Sequence, residues 1–154
     1  RSTQTRSSAA SDVYKRQEED LSETTMFVTA VHAELQPETG DLEVIDAGHS
    51  LAFILRSDGS WEHLRSTWLP LGMGAALPDQ GARESRRTRL EPGDAFVCCS
   101  DGLLDVLDAD DPFAHVARVL DTLGPDGAIG EALRLISDDR ATDDITVVVV
   151  RRDA

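Results

Sequence analysis

"FVCCSDGLLDVLDADD", Phe96–Asp111, joins the two halves of this chain's pattern. Apolar residues run without alternation from Ala95 to Cys99 and stop at Ser100, where an aspartate and a glycine follow at once. Consecutive apolar positions mark a strand covered on both faces, because a half-exposed strand alternates apolar with polar. After Gly102 the pattern turns helical, with "LLDVL" supplying one or two turns. A buried strand that ends on a carboxylate is either a plain strand-to-helix turn or the delivery of an oxygen donor to a site.

Working downstream, "DPFAHVARVLDTLG" places Phe113, Val116, Val119, Leu120 and Leu123 at helical spacing. Asp111 fits as N-cap, Pro112 as the first helical residue and Gly124 as the stop. "DGAIGEALRLISDD" predicts a second helix through Ile129, Leu133 and Ile136, and "DITVVVVRR" a closing strand. Upstream, "TTMFVTAVHAEL" (Thr24–Leu35) and "LEVIDAG" (Leu42–Gly48) are rich in β-branched residues and flank the turn-forming "QPETGD", so they predict a hairpin. "LAFILRSDGSWEHL" predicts a third strand, an Asp58-Gly59 turn and a short fourth strand. Pro70–Ala82 is expected to be loop, and "RESRRTRL" (Arg83–Leu90) another strand. Many strands, then helices, then one strand returning to the sheet indicate the α+β class, with helices packed on sheet faces.

The chain has 154 residues and 40% hydrophobic content, enough for a domain with a core of its own. A net charge of −14 argues against nucleic acid as a partner, since that binding depends on basic groups neutralising phosphates. No stretch approaches the roughly 20 apolar residues of a membrane span, and none reads as a signal peptide, so a cytoplasmic protein is expected. Cys98 and Cys99 are adjacent in a strand, point to opposite faces and read as buried packing rather than as a disulfide or zinc pair.

Residues 1–17, "RSTQTRSSAASDVYKRQ", differ from the rest. They hold the chain's one lysine, Lys15, and its one tyrosine, Tyr14, and carry a charge of +3, whereas the remainder carries −17. Ser7–Gln17 resembles the translation of a transposon-based sequencing adapter. The expectation is therefore a non-native head over 1–17 and native sequence over 18–154, with the natural segment before Glu18 replaced.

Two acids stand in matching contexts. Asp101 directly follows the buried strand, and Asp143 directly precedes the closing one. If those strands are antiparallel neighbours, both carboxylates come to one sheet edge. Hard cations such as Mg²⁺ and Mn²⁺ take oxygen ligands, and Gly102 would keep the turn clear of a side chain. Asp-Gly turns and Asp-Asp linkers are also common without any ion, so spacing alone leaves both readings open.

Four segments in order, "FVTAVHAELQPETGDLEVIDAGHS", "LPLG", "LEPGDAFVCCSDGLLDV" and "DDITVVVV", resemble the SpoIIE-like, RsbU-like branch of the PPM-type metal-dependent serine/threonine phosphatases. The resemblance implies an αββα sandwich of two mainly antiparallel sheets flanked by helices, with a two-metal Mn²⁺ or Mg²⁺ site. It implies Asp101 and Asp143 as metal ligands and Asp144 as a residue orienting the loop. The implied reaction is hydrolysis of a phosphoserine or phosphothreonine monoester by metal-activated water, without a covalent enzyme intermediate. The implied partner is a phosphoprotein, such as an anti-sigma-factor antagonist. The family's Gly-Asp strand and "DVxGHG"-like element, which carry the aspartate bridging both ions, are not found before Thr25. The expectation is thus the C-terminal part of a phosphatase domain, inactive as given, with a non-catalytic protein-binding module as the rival.

His49, in "DAGHS", serves either loop packing or the neighbourhood of an active site. His32, His63 and His115 read as partly exposed side chains, and Trp61 and Trp68 as packing residues. The arginines of "RESRRTRL" read as a solvated strand and "DADD" (Asp108–Asp111) as a helix start rather than a calcium loop.

Overall fold

The computed structural model describes residues 27–73, 83–107, 111–137 and 143–153. The adapter-like head, residues 74–82 of the expected loop and most of the "DADD" run lie outside the described residues. In chain order the elements are β1 (Ala30–Leu35), β2 (Asp41–Ala47), β3 (Ala52–Leu55), β4 (Trp61–His63), β5 (Arg86–Arg89), β6 (Ala95–Cys99), α1 (Gly102–Val106), α2 (Pro112–Ser137) and β7 (Val147–Arg151). They fall into two compact units: Arg1–Gln36, Asp41–Ser50 and Ser66–Thr88 in one, and Pro37–Gly40, Leu51–Arg65 and Arg89–Ala154 in the other.

In the first unit β1 and β2 form the expected antiparallel hairpin, with Ala30 opposite Ala47 and Leu35 opposite Leu42. β5 completes a three-stranded sheet in the order β1-β2-β5. Among the described residues regular pairing with β2 begins at Ala30, and Thr24–Met26 of the expected strand lie outside the described residues. Before it, Val28 exchanges two backbone hydrogen bonds with Leu71, at 3.0 and 2.8 Å. Ile45, Ala47 and Leu71 make a small buried cluster with Ala30 packed against it. β5 is mostly exposed, as its arginines lead one to expect, and arginines around it also make surface contacts. Arg83 donates to the Leu69 carbonyl at 2.8 Å and lies 6.0 Å from the Trp68 ring centre, while Arg87 pairs with Glu43 at 3.4 Å.

The second unit holds a four-stranded sheet in the order β4-β3-β6-β7, with each pairing antiparallel. β6 is central and buried, as its sequence demands. Phe53 and Leu55 of β3 and Ala95, Val97 and Cys99 of β6 share one face by their period of two. On them pack Leu103, Val106 and Leu107 from α1 and its end, and Val116, Ala117 and Leu120 from α2. Phe113 meets Phe53 edge-on at 6.0 Å, and His63 stacks 4.4 Å from Phe113. Asp111 caps α2 as expected, its Oδ1 accepting the Ala114 N–H at 3.0 Å.

The anticipated pair of helices is present within α2, the two meeting at the expected break, Gly124 (φ 68°, ψ 178°). Val116 and Leu120 are buried and Ala128 packs on the same core, whereas Leu123 and Leu133 are exposed. β7 begins at Val147 and, among the described residues, is an edge strand. Val149 packs on the core, whereas Val148 and Val150 are 48% and 39% exposed. A run of valines reads the same whether one face or two are covered.

The "EPGD" turn before β6 is held by a buried carboxylate. Asp94, 2% exposed, accepts Arg56 Nη1 and the Ser57 N–H, each at 2.8 Å, and the Glu91 N–H at 3.0 Å. Burial works to raise its pKa, but the guanidinium and the two backbone donors outweigh it and hold the carboxyl below its usual range. An unfolded aspartate titrates near about 4, so this contribution to stability is complete above that pH. It is lost as pH falls through the lower folded-state value. Asp94→Ala should destabilise the protein by about 2–4 kcal/mol at pH 7, because it leaves the Ser57 and Glu91 N–H groups without their acceptor and removes one of Arg56's partners, the others being the Arg89 carbonyl and Glu62. Urea unfolding at pH 7 and pH 3 should show the gap between the two proteins narrowing at the lower pH.

Candidate metal centre

β6 and β7 run antiparallel, and their last paired residues are Cys99 and Val147. The C-terminal end of one strand therefore adjoins the N-terminal start of the other. Asp101 lies two residues beyond the ladder on one side, and Asp143 four residues before it on the other. The antiparallel pairing anticipated from the sequence is the one observed.

Hydrogen bonds continue past the ladder. The Ser100 N–H donates to the Thr146 carbonyl at 2.9 Å, and the Thr146 N–H donates to Ser100 Oγ at 2.9 Å. Ser100 Oγ also reaches the Asp144 carbonyl at 3.1 Å. The absence of a side chain at Gly102 matters here for packing against backbone. A Cβ built on it would stand 2.4 Å from the Asp144 carbonyl oxygen. Sequence reasoning had assigned that clearance to an ion.

Asp101 caps α1, its Oδ1 accepting the Gly102 N–H at 3.1 Å. Asp143 Oδ1 accepts the Asp144 N–H at 2.7 Å. Both residues are exposed, and among the described residues neither makes an ion pair. Exposed carboxylates of this kind are oxygen donors of the type a hard divalent ion takes while completing its shell with water. Among the described residues no third His, Cys, Asp or Glu joins them in a metal-binding group. The pair therefore fits part of a metal site, not a complete two-ion centre.

"DAGHS" is organised by Asp46 rather than by His49. The Asp46 carboxylate accepts the His49 N–H at 2.7 Å and the Ser50 N–H at 2.9 Å. Ser66 Oγ takes up the Gly48 N–H at 3.0 Å. Gly48 (φ 74°) sits so close to Pro70 that a Cβ would fall 2.5 Å from its ring. The His49 ring lies 3.2 Å from Thr29 Oγ1. These contacts describe a loop knot, with Asp46 its missed member; the signal was an aspartate three residues before the histidine, the spacing at which a side chain caps a backbone N–H.

The family model for Stage II sporulation protein E (SpoIIE) matches residues 1–153. The chain belongs to this family. Its fold and motifs place it with the SpoIIE- and RsbU-like PPM phosphatases. Protein IcfG of Synechocystis sp. is 29% identical over 136 residues, covering 82% of this chain and 21% of that protein. The chain thus spans about a fifth of the length of the curated relative it matches. Among solved structures, the RsbU and RsbW domains of Rv1364c from Mycobacterium tuberculosis align with a TM-score of 0.75 and 20% identity. That alignment covers 95% of this chain and 42% of the other. The catalytic domain of the serine/threonine phosphatase PstP, in complex with two manganese ions, aligns with a TM-score of 0.62 and 17% identity. It covers 92% of this chain and 66% of that one. These likenesses bear out the α+β class with two antiparallel sheets.

Gly102→Ala should force the Asp144 peptide away and cost about 1–3 kcal/mol, the usual range for an overpacked site. A denaturation midpoint matching wild type would show that the loop gives way freely.

Proposed function

We propose that the intact protein is a metal-dependent phosphatase that hydrolyses phosphoserine or phosphothreonine on a regulatory phosphoprotein, such as an anti-sigma-factor antagonist. The observation that carries this reading is the meeting of Asp101 and Asp143 at one end of two neighbouring antiparallel strands in a SpoIIE-family chain. Mn²⁺ or Mg²⁺, when bound, supplies charge neutralisation at the phosphoryl oxygens and an acidified water.

Asp101 and Asp143 would hold that ion, each through the carboxylate oxygen not used on its own loop. Asp144 would act through its backbone, which donates to Asp143 and accepts from Ser100. Their exposure leaves the site open to a protein substrate, as phosphoprotein hydrolysis requires. Cys99 is unsuited to nucleophilic attack, since burial and then the neighbouring Cys98 push its thiol up to about 11.

Under this reading the head over 1–17 is foreign, and a bridging aspartate belongs to the natural upstream segment. The chain as given would then carry little activity. With no third ligand among the described residues, a non-catalytic binding module is the alternative.

The two are separated by assaying the protein, extended with its upstream reading frame, on a chromogenic phosphomonoester with Mn²⁺. Asp101→Asn keeps a competent helix cap but removes an anionic oxygen, and should lower kcat/KM by about 100-fold or more. Equal turnover by the two proteins would favour the binding module.

A further inference from the structure

Ser100 stands between the end of β6 and Asp101, and its hydroxyl does what the backbone ladder no longer can. Regular pairing ends at Cys99 and Val147. One residue further on, Ser100 Oγ accepts the Thr146 N–H at 2.9 Å and donates to the Asp144 carbonyl at 3.1 Å. With the Ser100 N–H on the Thr146 carbonyl at 2.9 Å, three hydrogen bonds tie the residue before Asp101 to the segment just after Asp143. Asp144 in turn donates its N–H to the Asp143 carboxylate at 2.7 Å. Residue 144 is thus held from both sides, its carbonyl by Ser100 Oγ and its N–H by the Asp143 carboxylate, so that Ser100, next to Asp101 in the chain, anchors the residue next to Asp143.

Ser100 is half-buried and the loop it ties is exposed. Without the hydroxyl, the Asp144 carbonyl and the Thr146 N–H can turn to water, so the loss falls on the loop's position more than on the stability of the sheet. Alanine removes both side-chain bonds, whereas threonine keeps a hydroxyl that can make them.

We propose that Ser100 is a positioning residue that sets the spacing of the Asp101 and Asp143 carboxylates and thereby the affinity for a divalent cation. The proposal rests on the metal reading above. It differs from a purely structural role because it demands an effect on ion affinity that follows the hydroxyl and not the fold.

The test is Mn²⁺ binding by the full chain, followed through the electron paramagnetic resonance of free Mn²⁺, with circular dichroism as the check on folding. Ser100→Ala should raise the Mn²⁺ Kd by about tenfold, the lower end for a residue supporting a ligand, while keeping the wild-type spectrum. Ser100→Thr should stay within about threefold of wild type. Unchanged affinity in Ser100→Ala, or equal weakening by both substitutions, would overturn the proposal while leaving the metal reading intact. A wild-type chain that takes up no more Mn²⁺ than Asp101→Asn would overturn both. If Ser100→Ala fails to fold, hydrogen exchange at the Thr146 amide in Ser100→Thr decides: wild-type protection supports the hydroxyl bond, and free exchange at undiminished Mn²⁺ affinity contradicts it.

Discussion

The antiparallel pairing of β6 with β7 is the constraint on which the candidate site depends. Its register sets Cys99 opposite Val147, and every later relation between Asp101 and Asp143 follows from where that ladder ends. β6 can act as the fixed side because it is central, with β3 on its other edge and Val97 and Cys99 buried against the helices. β7 lies at the edge and is mostly exposed. Its loop is accordingly the side that needs tying down, and the Ser100 hydroxyl and the close approach of Gly102 do so.

Polar groups elsewhere follow the same logic. Where the chain leaves a strand, a side chain takes over the hydrogen bonds that the ladder releases. Asp94 gathers two backbone N–H groups and Arg56 at the turn into β6, and Asp46 gathers the His49 and Ser50 N–H groups after β2. None of the described buried side-chain polar atoms lacks a partner.

How much could be read in advance depended on how local the cause was. β6 was legible because unbroken apolar residues over five positions demand cover on both faces, and the cap of α2 because Asp111 and Pro112 act within one turn. The edge position of β7 was not legible, since four valines carry no mark of what lies beside them. The break at Gly124 was legible, because a glycine between two helical patterns marks a helix stop. At the site, the identity and contexts of Asp101 and Asp143 were visible, while the stitch by Ser100 depends on a partner strand far along the chain. The same distance hid the reason for Gly102, which clears the Asp144 carbonyl.

The central claim is that these two carboxylates form one ion-binding locus held by the ends of β6 and β7. The most direct measurement is a Mn²⁺ titration followed by amide NMR, because a bound paramagnetic ion broadens nearby signals selectively. The account predicts that the Gly102 and Asp144 amides broaden together at the lowest Mn²⁺ concentrations. Broadening that leaves those two amides sharp, or that spreads evenly over exposed acids such as Glu34 and Asp41, would contradict it.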